Sequence, residues 1–237
     1  LELVQRGNIG LAYTYNEPLV CYEYVRDCAE LAHRHSLKNV LVTNGMFCRE
    51  PLSRMLPLID AMNIDLKSFN PDFYKNICGG QLETVKNNII TAVESGVHVE
   101  VTHLVVTGLN DSIDEFIQLV DWLADLSDRV PLHVSRYFPR YHESAPPTDQ
   151  SMIDSFVEVA AKKLKFVYPG NVAADQDTLC PACKSVLIRR HAYEVLLNYR
   201  GTTCHCGEKL PFIDVNNPAA EKGAFEVSET SESDSHN

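Results

Sequence analysis

The chain has 237 residues, 45% of them apolar and 22% charged, with a formal net charge of −11. That length and balance fit a globular chain with a sizeable core, and acidity without clustered Lys or Arg excludes a general nucleic-acid or membrane-surface binder. No run of 18 apolar residues occurs, and residues 1–6 form neither a signal nor a transit peptide, so a cytoplasmic protein with no membrane span is expected.

Residues 9–15, short, apolar and aromatic, predict a first strand buried on both faces. It ends in Asn16-Glu17, and Pro18, whose φ is already helical, opens a helix over 20–35. A carboxylate is thereby set at the carboxyl end of a strand, where α/β folds hold their ligands; the other reading of Asn16 and Glu17 is a helix cap. Residues 39–45 repeat the plan, a β-branched run closing in Thr43-Asn44-Gly45, and a proline-interrupted helix follows over 50–58. In the third strand, 61–67, Asp65 and Lys67 are two apart and share a face. They either neutralise one another or bind a polar ligand together.

A short helix over 71–76 and the loop Cys78-Gly79-Gly80 come next, then an amphipathic helix over 82–95 that Gly96 stops. A fourth strand spans 97–106, and Gly108-Leu109-Asn110-Asp111 is the turn that caps a helix over 112–126. A fifth strand over 130–137 carries Arg136 near its end, and a helix over 149–163 leads to a last strand at 166–168. Strands alternating with helices indicate parallel βα units in one sheet, open or closed into a barrel. Asn16-Glu17, Thr43-Asn44, Asp65-Lys67, Asn110-Asp111 and Arg136 close five of the six strands. That repetition favours a ligand site at the strands' carboxyl ends over simple capping.

Beyond residue 171 the composition changes. Cys180-Pro181-Ala182-Cys183 and Cys204-His205-Cys206, twenty residues apart, have the spacing of a four-cysteine metal site on two turns of a small β-ribbon, with a hairpin over 185–199 between them. Zinc is the expected metal, structural because protein fills all four positions; rubredoxin-like iron and free thiol pairs are the alternatives. His205 is a reserve ligand in case Cys204 cannot reach. Cys21, Cys28, Cys48 and Cys78 lie too far apart for a motif and are expected in the core. His33, His35, His98, His103, His133, His142 and His191 follow no spacing rule and are expected at the surface or packed. Residues 216–237, rich in Ser, Glu and Asn, are expected to be a disordered acidic tail. The expected organisation is thus an α/β barrel part over 1–172, a cysteine module over 173–215 and this tail.

Taken in order, the segments 12–18 (Ala-Tyr-Thr-Tyr-Asn-Glu-Pro), 42–45 (Val-Thr-Asn-Gly), 63–67 (Asn-Ile-Asp-Leu-Lys), 108–111, 131–136 (Pro-Leu-His-Val-Ser-Arg) and 180–183 carry a family resemblance. They resemble the radical S-adenosylmethionine (SAM) enzymes related to pyruvate formate-lyase activating enzyme, and among these the AmmeMemoRadiSam-system branch, over about residues 7–213. The resemblance implies a partial (β/α) barrel with a C-terminal, zinc-ribbon-like cysteine knuckle. It implies reductive SAM cleavage by a [4Fe–4S] cluster, hydrogen abstraction from a protein or small-molecule substrate, and an electron donor such as flavodoxin or ferredoxin. It implies SAM contacts from Asn16, Glu17, Thr43, Asn44, Asp65, Lys67 and Arg136: methionine's ammonium needs an anion, its carboxylate a cation, and the ribose a polar partner. Phe138 stands where the family reads His, and no contact is carried onto it. The family's Cys-x3-Cys-x2-Cys occurs nowhere in the chain, which also begins without Met. Its cluster ligands are therefore expected upstream of Leu1, and the chain as given is expected to bind SAM without cleaving it. A cluster-free SAM-binding or scaffold protein is the alternative.

Overall fold

A computed structural model describes residues 7–141, 145–173, 176–191, 194–199 and 201–212; the tail expected over 216–237 lies outside them. The first part runs β1 (Gly10–Tyr13), α1 (Tyr22–Arg34), β2 (Lys38–Thr43), α2 (Arg49–Met55), β3 (Ala61–Asp65), α3 (Pro71–Phe73) and α4 (Leu82–Glu94). It continues with β4 (His98–Val105), α5 (Ile113–Leu126), β5 (Leu132–Arg136), α6 (Gln150–Ala161) and β6 (Val167–Gly170). The six strands lie side by side in sequence order, every pair parallel.

Burial in β2, β3 and β4 alternates residue by residue. Leu41, Ile64, Val101 and Val134 form one core with Val25, Leu52, Ile89, Phe116 and Phe156 of the helices. One sheet face is thus sealed by helices, each large apolar side chain contributing about 1.5–3 kcal/mol on burial. The opposite face carries the half-buried Val40, Asn63, Asp65, Glu100, Thr102 and His133. Strands added in sequence order under helices on one face make the wall of a partial barrel.

The first strand corrects an expectation. It is not buried on both faces: Ile9 and Leu11 are 47% and 41% exposed. The physical reason is its position, since among the described residues β1 ends the strand order and pairs with β2 alone. Asn39, fully buried, ties this edge down; its amide donates to Ala29 O and Leu58 O and its Oδ1 accepts from the Tyr13 hydroxyl. Of the four cysteines expected in the core, Cys78 packs against it while the others do not join it. Cys21 and Cys48 are exposed, and Cys28 and Cys78 are half-buried: Cys21 ends the one-turn helix Pro18–Cys21, Cys48 directly precedes α2, Cys28 lies on α1 and Cys78 ends the helical turn Tyr74–Cys78.

A second, antiparallel sheet of β7 (Thr178–Leu179), β8 (Val186–His191) and β9 (Glu194–Leu197) builds the C-terminal module. Its small core consists of Cys180, Leu187, Ile188, Cys204 and Leu210. The module seats on the barrel part near the starts of β4 and β5 and along β6. His98 Nδ1 lies 2.8 Å from Pro211 O, Phe212 meets Phe166 edge-on at 5.6 Å, and Arg129 pairs with Glu208. Arg190 covers the Tyr168 ring at 5.6 Å, and the Tyr168 hydroxyl meets Thr178 Oγ1 at 2.9 Å.

Candidate active site and metal centre

At the carboxyl edge of the sheet, Glu17 follows β1 and caps the one-turn helix Pro18–Cys21 by accepting from Leu19 N at 3.3 Å. The cap is only part of its role. Its carboxylate also accepts from Thr43 Oγ1 at 2.8 Å and Asn44 N at 2.7 Å, across the gap to β2. Thr43, 3% exposed, therefore aims Glu17 rather than lining an open pocket. Asn44 Oδ1 is taken by Met46 N at 2.8 Å, and Asn16 is exposed.

Thr43 pairs in register with Ile64, the residue before Asp65, so the next polar group lies one strand on. Asp65 and Lys67 form an ion pair at 2.8 Å, 34% and 40% exposed, as their spacing predicts. The backbone beneath them is fixed: Lys67 N donates to the Tyr74 hydroxyl at 3.0 Å, and Asn110 Nδ2 binds Lys67 O and Leu104 O. Asn110, a strand-end residue able to bind, is spent on this pinning and is 4% exposed. Arg136 stands apart. It pairs with Val105 of the helix-covered face, gives its Nε to Thr148 O at 2.6 Å, and lies 4.7 Å over the Phe138 ring.

A polar group that sequence reasoning missed occupies the helix-free face. Glu100 Oε1 meets His98 Nε2 at 3.0 Å, and Oε2 meets His133 Nε2 at 2.6 Å. Burial alone would raise the Glu100 carboxyl, but hydrogen bonds from His133 and His98 outweigh it and hold the group at about 2. Beside it, Thr102 Oγ1 donates to Asn63 Oδ1 at 2.8 Å. The signal was present as His98 and Glu100 two apart on a strand, but His133 joins only through strand pairing.

In the C-terminal module the Sγ atoms of Cys180, Cys183, Cys204 and Cys206 lie within 4.8 Å of one another. Cys180–Cys206 and Cys183–Cys204 approach to 3.7 Å. A tetrahedron with metal–sulfur bonds of about 2.3 Å has edges near 3.8 Å, so the donor set fits a four-thiolate metal. The short Cys204-His205-Cys206 turn closes because Gly207 takes φ +91° and its N–H bonds Cys204 O at 2.9 Å. Cys204 reaches the cluster, and His205 lies beside it, Nδ1 3.6 Å from Cys204 Sγ. The Ser185 hydroxyl and N–H lower the Cys183 thiol to about 6. Among the described residues no other group of three His, Cys, Asp or Glu side chains converges in this way.

A parallel partial barrel with helices on one face and polar side chains gathered at the carboxyl ends of its strands defines an α/β protein of the partial-barrel type. The chain belongs to the radical SAM superfamily, whose family pattern matches residues 1–123. It is 38% identical over 223 residues to the uncharacterized protein MJ0808 of Methanocaldococcus jannaschii, covering 90% of this chain and 66% of that protein. It is 25% identical over 195 residues to a probable GTP 3',8-cyclase of Methanococcus aeolicus, covering 74% of this chain and 62% of the cyclase. The chain thus spans under two thirds of the length of these relatives. In fold it is similar to a domain of pyruvate-formate lyase-activating enzyme from Bacteroides vulgatus, with TM-score 0.59 and 18% identity over 68% of this chain and 99% of that one. It is also similar to a radical SAM methyltransferase from Sphaerobacter thermophilus, with TM-score 0.56 and 14% identity over 68% of this chain and 50% of the other.

Proposed function

We propose that this chain is the SAM-binding part of a cytoplasmic radical SAM enzyme of the AmmeMemoRadiSam-system branch, acting on a protein or small-molecule substrate with electrons from a flavodoxin or ferredoxin. The observation that carries the reading is the edge formed by Glu17, fixed by Thr43 and Asn44, and the Asp65–Lys67 pair one strand away. Glu17 supplies an anionic acceptor for the methionine ammonium, Lys67 a cation for its carboxylate, and Asp65 a polar partner for the ribose hydroxyls. Bound SAM supplies hydrogen-abstraction chemistry. Arg136 keeps the loop beyond β5 in place through Thr148 O and is an outer contact at most.

The residues present do not fit a [4Fe–4S] cluster that leaves one iron open. The four converging thiols complete a closed site in the C-terminal module, and the other cysteines have no cluster spacing. Zinc in that closed site is part of the proposal.

Calorimetric titration of SAM into the chain tests the site. Glu17→Ala and Asp65→Ala should each lose a charge-assisted hydrogen bond, roughly 1.5–3 kcal/mol, or about ten- to a hundred-fold in affinity. Unchanged affinity in both variants would sink the assignment.

A further inference from the structure

The His98–Glu100–His133 group has no role in SAM binding as proposed, yet its two histidines are not equivalent. His98 Nε2 faces Glu100 Oε1 and His98 Nδ1 faces Pro211 O, so both nitrogens of this ring are occupied within the protein. His133 differs. Its Nε2 donates to Glu100 Oε2 at 2.6 Å, and Nδ1 has no partner among the described residues. A neutral imidazole that donates from Nε2 keeps its lone pair on Nδ1.

The ring is held rigidly. It stacks on Tyr168 at 5.4 Å and 28°, and Tyr168 is itself clamped by Thr178 and Arg190. His133 pairs in register with Thr102, and Thr102 with Asp65, so it lies in one row with Asp65, two strands or about 9–10 Å away. Thr102 also binds Asn63 Oδ1, which leaves the Asn63 amide N–H groups as donors on the same wall. A hydroxyl both donates and accepts, and so satisfies an imidazole lone pair and an amide donor together. A free anion would instead meet Glu100 and Asp65.

We propose that His133 Nδ1 is the hydrogen-bond acceptor of a substrate site on the helix-free face of the sheet, beside the C-terminal module, which takes a neutral, hydroxyl-bearing small molecule, with Glu100 as the positioning residue that fixes the tautomer. The site adjoins the proposed SAM edge but is tested without SAM, so its failure and that of the SAM reading are distinguishable.

The test is nitrogen-15 NMR on the full chain with labelled histidine, metal loaded, using ribose as the neutral polyol probe and inorganic phosphate as the anionic one. His133 should show the Nε2–H tautomer with an unprotonated Nδ1. Ribose, and not phosphate, should shift its Nδ1 signal, and Asn63→Ala should weaken the ribose effect several-fold. Glu100→Gln should mix the two tautomers, with the amide dispersion of the chain reporting that it remains folded; Asn63→Ala, which leaves the histidines alone, keeps the test standing if it does not. An Nδ1–H tautomer, a ribose-insensitive His133, or a stronger response to phosphate than to ribose would overturn the proposal.

Discussion

Glu100 is the residue whose chemistry most exceeds its sequence signal. Its carboxyl is depressed from the usual 4.5 to about 2, and a depressed carboxylate adds stability that is fully present above its unfolded pKa and is lost as pH falls through the folded one. The window therefore runs from about pH 4.5 down to about 2. With the side chain 32% exposed, solvent screening leaves on the order of 2 kcal/mol in play. Urea unfolding followed across this window should show a steeper acid loss for the wild type than for Glu100→Gln; parallel curves would mean that the two histidine contacts carry no net stabilisation. Asp60 follows the same logic more mildly. Burial opposes its charge, and hydrogen bonds from Lys38, His33 and Asn39 N hold it below the usual carboxylate range.

Among the elements, the cysteine module combines a small apolar core with a metal-type thiol cluster. Five buried side chains are a thin core for an independent unit, and in such small sites metal-binding free energy is folding free energy. One tightly held zinc per chain is expected by elemental analysis. A strong chelator should collapse the β7–β9 signals while the helical circular dichroism of α1 to α6 persists. Simultaneous loss of both would instead assign the module's contacts at His98, Arg129 and Phe166 a larger share of the barrel part's stability. At the other edge, β1 offers Ile9 and Leu11 half-exposed beside a strand paired on one side only, the kind of edge that joins another strand.

At the scale of the whole chain, the expected behaviour of residues 1–237 taken by themselves is SAM binding without cleavage. Anaerobic reconstitution of the 237-residue chain with iron and sulfide, followed by visible absorption and a 5′-deoxyadenosine assay, should yield neither a stable [4Fe–4S] spectrum nor product. A cluster with turnover would show that cysteines given no cluster role here can wrap iron, and would overturn the expectation.

Local patterns alone determined the βα rhythm, the Asp65–Lys67 pair and the four-thiol spacing, because strand period, a two-residue offset and a tight turn are all properties of neighbouring residues. Glu17 was legible as a strand-end carboxylate in the same way. Tertiary structure decided what depends on partners far along the chain. It left Ile9 and Leu11 of β1 half-exposed, since how far a strand is covered depends on elements outside it. It turned Thr43 and Asn110 from contacts into supports and set Arg136 on the covered face, since register fixes which side each residue takes. And it joined His133 to Glu100, a pairing 33 residues apart that exists only because β4 and β5 lie side by side.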